Sequence, residues 1–177
     1  MKGSRVAKRY ARALLEVAEH GEGEAWGAEL ERLAKMVESP ELMPKLASPE
    51  ISNEQREQAM QKIAERLNLS FPLRSFAVVL ARHGRIHEIG AVSQSYQDLL
   101  DEQLGRERAT LTFATAPDDA TVKRVVSGLE AIAGKKIIPT IKVDPSILGG
   151  VTAEMGGRIY DGSLAARLDE AQRRLAG

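Results

Sequence analysis

Apolar residues recur at helical spacing up to Gly105 and alternate beyond it, and this change of period constrains the fold more than any other feature of the sequence. A helical stretch of that length must bury one stripe per helix against its neighbours. A period of two calls for strands. The chain of 177 residues therefore divides near Gly105. The expected fold is mainly α: an N-terminal six-helix bundle at 1–105, followed by a small α+β domain at 106–177.

The first helix is basic along one side, with Arg5, Lys8, Arg9 and Arg12, and then Glu16. Val6, Tyr10, Ala13, Leu14 and Val17 occupy the opposite side, and Ala7, Ala11 and Ala18 extend it. This apolar arc is wider than the ~100° that covers one core, so the helix has a second thing to bury against. A basic amphipathic start also suits a transit peptide, but such peptides avoid acids. Glu16 and Glu19 favour a folded helix.

Trp26, Leu30, Leu33 and Val37 mark a second helix. Pro40, Pro44 and Pro49 keep the next turn, around Leu42, Met43 and Leu46, short. Ser52 and Gln55 form a capping box ahead of Met60, Ile63, Ala64 and Leu67. The run Leu73 to His83 is apolar nearly all round and ends at Gly84, a residue suited to the left-handed position after a helix. Ile86, Ile89, Val92, Tyr96, Leu99 and Leu100 give the last helix of this part.

Beyond Gly105, Ala109, Leu111 and Phe113 alternate with Thr110 and Thr112. Pro117-Asp118-Asp119 opens a helix with Val122, Val125, Val126, Leu129 and Ile132 on one side. Ile137, Ile141 and Val143 follow as a strand, which Pro139 confines to an edge or a bulge. Val151 to Met155, a Gly156-Gly157 turn and Arg158 to Tyr160 make a hairpin. Ser163 caps a final helix carrying Leu164, Leu168, Ala171 and Leu175.

Several chemistries are excluded or unsupported. The chain has no cysteine, which removes disulfides, thiolate metal sites and cysteine nucleophiles. Lys+Arg and Asp+Glu are both 25, and aromatics are 4%, so neither a basic surplus nor a stacking platform marks a nucleic-acid binder. No apolar run reaches the ~20 residues of a membrane span. His83 and His87 have a metal-binding i, i+4 spacing, but Gly84 breaks the helix between them. Gly128 to Lys135 lacks the spacing and the Ser or Thr of a phosphate loop. Asp118 and Asp119 suit the first turn of a helix. Asp144, Glu154 and Asp161 are dispersed. No catalytic constellation emerges, and no cofactor or metal is expected.

Taken together, three segments resemble the δ subunit family of F-type ATP synthases, whose mitochondrial counterpart is the oligomycin-sensitivity-conferring protein. The first is Ser4 to Ala18. The second is Phe76 to Ile89, with its His-Gly-Arg-Ile turn. The third is the most specific: Ile141 to Val151, containing Asp144, Pro145, Gly149 and Gly150, followed by Tyr160 to Leu168, containing Asp161, Ser163, Arg167 and Leu168. Met155-Gly-Gly-Arg158 departs from the family where an acidic residue commonly follows the first glycine.

The resemblance implies a stator part without chemistry of its own. It implies that the N-terminal domain binds N-terminal helices of α subunits. It also implies that the C-terminal domain holds the peripheral-stalk b subunits. The groove residues expected from it are Val6, Tyr10, Ala13 and Leu14 on the first helix, with Phe76, Val79 and Leu80 on the fifth. The expected location is peripheral, on the cytoplasmic face of a bacterial plasma membrane, with the thylakoid stroma side and the mitochondrial matrix side as alternatives. Other readings of the sequence are an adaptor for another amphipathic helix, a small hydrolase, and a ribonucleoprotein subunit using Lys135-Lys136.

Overall fold

The computed structural model describes residues 4–18, 21–147 and 149–162. The chain forms two compact units that meet in sequence between Leu100 and Asp101, ahead of Gly105.

The first unit is helical: α1 (Arg5–Val17), α2 (Gly23–Val37), the short α3 (Met43–Ala47), α4 (Asn53–Arg66), α5 (Phe71–Arg82) and α6 (Ile89–Gln103), with a 3-10 turn at Ile86–Glu88 leading into α6. The last turn of α6 falls in the second unit. Local chemistry fixes the helix ends. The Ser52 hydroxyl accepts from the Gln55 N–H at 3.2 Å, and the Ser52 N–H donates to the Gln55 side chain at 3.0 Å, completing the capping box. The α5 run begins at Phe71, two residues before the apolar pattern suggests, because Pro72 fits the first helical turn. The cap residue Ser70 is held from α2. The Glu29 carboxylate accepts from the Ser70 N–H at 2.7 Å and from the Ser70 hydroxyl at 3.0 Å. Gly84, at φ +64°, turns the chain out of α5.

The core of this unit is built from Leu30, Leu33, Met60, Leu69, Leu73, Leu80, Ile89, Val92 and Tyr96, all essentially without solvent contact. The Tyr96 hydroxyl donates to the Gly23 carbonyl at 3.1 Å. Burial, and then the charge of Glu22, push its pKa up to about 12.

The second unit is a four-stranded sheet with one helix packed on it. The strands are β1 (Arg106–Phe113), β2 (Lys136–Val143), β3 (Val151–Met155) and β4 (Arg158–Asp161), in the order β2-β1-β3-β4. β1 and β2 are parallel, joined through α7 (Asp119–Ala133), and the other pairs are antiparallel. Pro139 lies on β2, an edge strand, where its missing N–H costs no ladder bond on the open side. Ala109, Leu111, Phe113, Ile137, Ala153 and Met155 form the buried face, under Leu129 of α7. Asp101 is buried at the head of this unit. Its carboxylate meets Arg108 Nε at 2.5 Å and Arg106 Nε at 3.5 Å, which explains why the unit begins before Gly105. The final helix expected from Ser163 onward lies outside the described residues.

Candidate partner-binding groove

α1 is positioned at its start by Ser4. The Ser4 hydroxyl accepts from the Ala7 N–H at 3.1 Å and donates to Glu88 at 2.7 Å. The residues that α1 buries are Ala7, Ala11 and Leu14. This seam lies to one side of the Val6-Tyr10-Ala13-Val17 line, which the periodicity places along the edge of the apolar arc nearest the arginines. Two alanines allow close backbone approach, and the larger side chains of the central line stay near the surface. Val6 and Tyr10 are half-buried, Ala13 is exposed, and Val17 is 65% exposed.

α5 divides in a similar way. Leu73, Phe76, Ala77, Leu80 and Ala81 are buried. Val79 is 37% exposed, and Phe71 is 80% exposed. Tyr10 and Phe76 join the two helices edge to face, with ring centroids 5.9 Å apart and planes at 65°, a favoured aromatic geometry.

The structure thus sorts the seven residues expected to form the groove. Leu80 is fully enclosed, and Leu14 and Phe76 are nearly so. Val6, Tyr10, Ala13 and Val79 reach the surface. Phe71 was not singled out by the sequence pattern. The available signal was Ser70 followed by Pro72, a helix-start pair that extends α5 backward to include it.

The surface beside these residues is charged. Arg5, Lys8, Arg9 and Arg12 are all exposed on α1, and they border a shallow depression with Ala13 and Glu16. The Arg9 guanidinium lies 5.7 Å from the Tyr10 ring centroid. On the outer side of α5, Arg82 makes a two-pronged pair with Glu57, both contacts at 3.0 Å. Hydrogen bonding from Arg82, more than its charge alone, holds the Glu57 carboxyl below its ordinary 4.5.

In the second unit, the residues expected as a family signature build a loop. The Asp144 carboxylate accepts from the Ser146 N–H at 2.9 Å across Pro145, an Asx turn. Hydrogen bonds from Ser146, side chain first and backbone second, lower the Asp144 pKa. Gly149 and Gly150 take φ of +81° and +87°, which other residues adopt only at a cost. Asp161 closes the β3–β4 ladder opposite Thr152. Ser163, Arg167 and Leu168 lie outside the described residues. Asp118 caps α7, accepting from the Thr121 N–H at 2.8 Å. His83 and His87 fall on different elements, His83 at the end of α5 and His87 in the 3-10 turn. Among the described residues, no cluster of histidine and acidic side chains is arranged to hold a metal, and no helix is long and apolar enough to cross a membrane.

A sequence profile described as "ATP synthase delta (OSCP) subunit" matches residues 6–175. The chain belongs to the ATP synthase delta (OSCP) subunit family. A protein named ATP synthase subunit delta from Anaeromyxobacter sp. (strain Fw109-5) is 36% identical over 172 residues, covering 96% of each chain. Another of that name, from Desulfatibacillum aliphaticivorans, is 30% identical over 170 residues, covering 95% of this chain and 93% of its own. A chain in the cryo-EM structure of the Toxoplasma gondii mitochondrial ATP synthase hexamer shares the fold, with a TM-score of 0.68 at 23% identity over 98% of this chain and 99% of that chain. The delta family supplies a structural part of the ATP synthase and not a catalytic one.

Proposed function

We infer that the chain is the stator subunit that holds the catalytic α/β head against rotation, so that proton flow is converted to ATP synthesis. Membership of the delta family carries this reading. On the same reading, the helical unit receives an N-terminal helix of an α subunit in the groove between α1 and α5. Val6, Tyr10, Ala13 and Val79 line it, and Leu14, Phe76 and Leu80 support it from below. The supporting observations are that α1 leaves an apolar line uncovered beside its buried seam, that Tyr10 on that line meets Phe76 of α5, and that Val79 of α5 is exposed. A groove of that kind reads an amphipathic helix through i, i+3, i+4, i+7 anchors.

The second unit is the part that holds the peripheral-stalk b subunits. Ile141, Val143 and Ile159, all exposed, offer apolar surface for this. The bacterial relatives favour a peripheral location on the cytoplasmic face of a plasma membrane. Binding of the α-subunit N-terminal peptide to the Val79→Asp variant tests the groove. A folded variant with a loss of about tenfold or more in affinity supports the assignment. A folded variant with unchanged affinity refutes it.

A further inference from the structure

We propose that the α1–α5 groove selects a partner helix carrying carboxylates along one flank of its apolar stripe, read by Arg5, Arg9 and Arg12. This inference rests on the groove assignment and adds the charge pattern of the occupant. Successive α-helix residues turn by about 100°. On α1 that places the Val6-Tyr10-Ala13-Val17 line between two other strips: the buried Ala7-Ala11-Leu14 seam on one side and the Arg5-Arg9-Arg12 strip on the other. Arg9 borders the line most closely, and its guanidinium stands 5.7 Å from the Tyr10 ring centroid. A helix lying along the apolar line therefore has one flank against cations.

The cations are available for a partner. Arg5, Lys8, Arg9 and Arg12 are exposed, and among the described residues none of them is in an ion pair. The chain as a whole has zero net charge, so the strip is a local concentration of charge, not a share of a general surplus. Arginine suits the role because its fork meets a carboxylate in two hydrogen bonds and its plane stacks on apolar groups. Glu16 sits at the far end of the same strip. It gives the strip a direction, with the partner's carboxylates opposite the first two turns of α1.

The test uses the full chain and the α-subunit N-terminal peptide, titrated at low and at high salt. The Arg5→Gln/Arg9→Gln/Arg12→Gln variant changes only exposed side chains, and circular dichroism checks its fold. The expected result is an affinity about tenfold lower at low salt, with the difference shrinking at high salt as screening takes over. A copy of the peptide with its carboxylates changed to amides should bind the native chain as weakly as the native peptide binds the variant. If the arginine variant binds normally while Val79→Asp does not, the charge reading is wrong and the groove stands. If both variants bind normally, the groove itself is wrong. If the amide peptide binds the native chain undiminished, or if the arginines govern only binding to vesicles containing anionic lipid, the proposal is overturned.

Discussion

The two units of this chain solve the burial problem on different scales. The helical unit surrounds long side chains, such as Leu30, Leu33, Met60 and Tyr96, with residues from several helices. The sheet unit relies on β1 and parts of its neighbours beneath one helix, and among the described residues its buried core is far smaller. On the edge strand, Ile137 is buried. Ile141 and Val143, on the same face, are 47% and 51% exposed. The difference shows how one chain can combine a larger enclosed core with a smaller unit whose edge strand leaves apolar side chains open. Stability scales with the area removed from water, so the helical unit should resist opening more strongly.

The largest expected effect comes from the helical core. Leu80→Ala should cost about 2–5 kcal/mol, seen in denaturant unfolding as a loss confined to the helical unit. A loss below about 1 kcal/mol would mean that Leu80 is not the core residue described above. Next is Asp101. Removing it leaves the partly exposed Arg106 and Arg108 without their shared carboxylate, and Asp101→Ala should cost about 2 kcal/mol in the sheet unit. A helical unit equally weakened by this change would show that the units do not respond separately. Hydrogen exchange on the intact chain sharpens the contrast: amides of α2, α5 and α6 should exchange more slowly than those of β2 and β4. The reverse order would remove the distinction.

The pH responses of the units should differ in alkali, where Tyr96 of the helical unit is raised, while both units lose a little in acid, the helical one through the lowered Glu57. Tyr96 has a raised pKa in the folded state, so its contribution is complete below the unfolded value near 10. That contribution is lost as the pH rises toward about 12, because the unfolded chain then gives up a proton the folded chain retains. The helical unit should weaken over that window, and Tyr96→Phe should flatten the response. Asp118 and Asp144 have lowered values. Their contributions are present above the ordinary 3.8 and fade as the pH falls through the folded values. The sheet unit should therefore show a small acid loss that Asp118→Asn and Asp144→Asn reduce. The smallest effect is Ser52→Ala, about 1 kcal/mol from the capping box, in the helical unit alone.

Much of this was legible in the sequence where one residue type has one physical use. The Ser52–Gln55 box, the Gly84 stop, the alternation of Ala109, Leu111 and Phe113, and Pro139 at an edge all state a geometry directly. The groove was only partly legible. The α1 pattern shows an apolar arc that is too wide, but it cannot say which edge of the arc is buried. The deciding residues are Ala7 and Ala11, whose small size permits close packing without a strong hydrophobic signal. Phe71 was hidden by Pro72, a residue that reads as a break yet fits the first helical turn. The exposure of Ile141 and Val143 depends on how far α7 covers β2, which no pattern within β2 records.

As a structural subunit of the delta family, this chain transmits torque resistance and performs no chemistry. The most direct measurement is proton-driven ATP synthesis in membrane vesicles from which the chain has been removed and then restored. Synthesis should be lost on removal, while the separated head still hydrolyses ATP, and the native chain should restore synthesis where the folded Val79→Asp variant does so poorly. Undiminished synthesis in vesicles wholly lacking the chain would contradict this role.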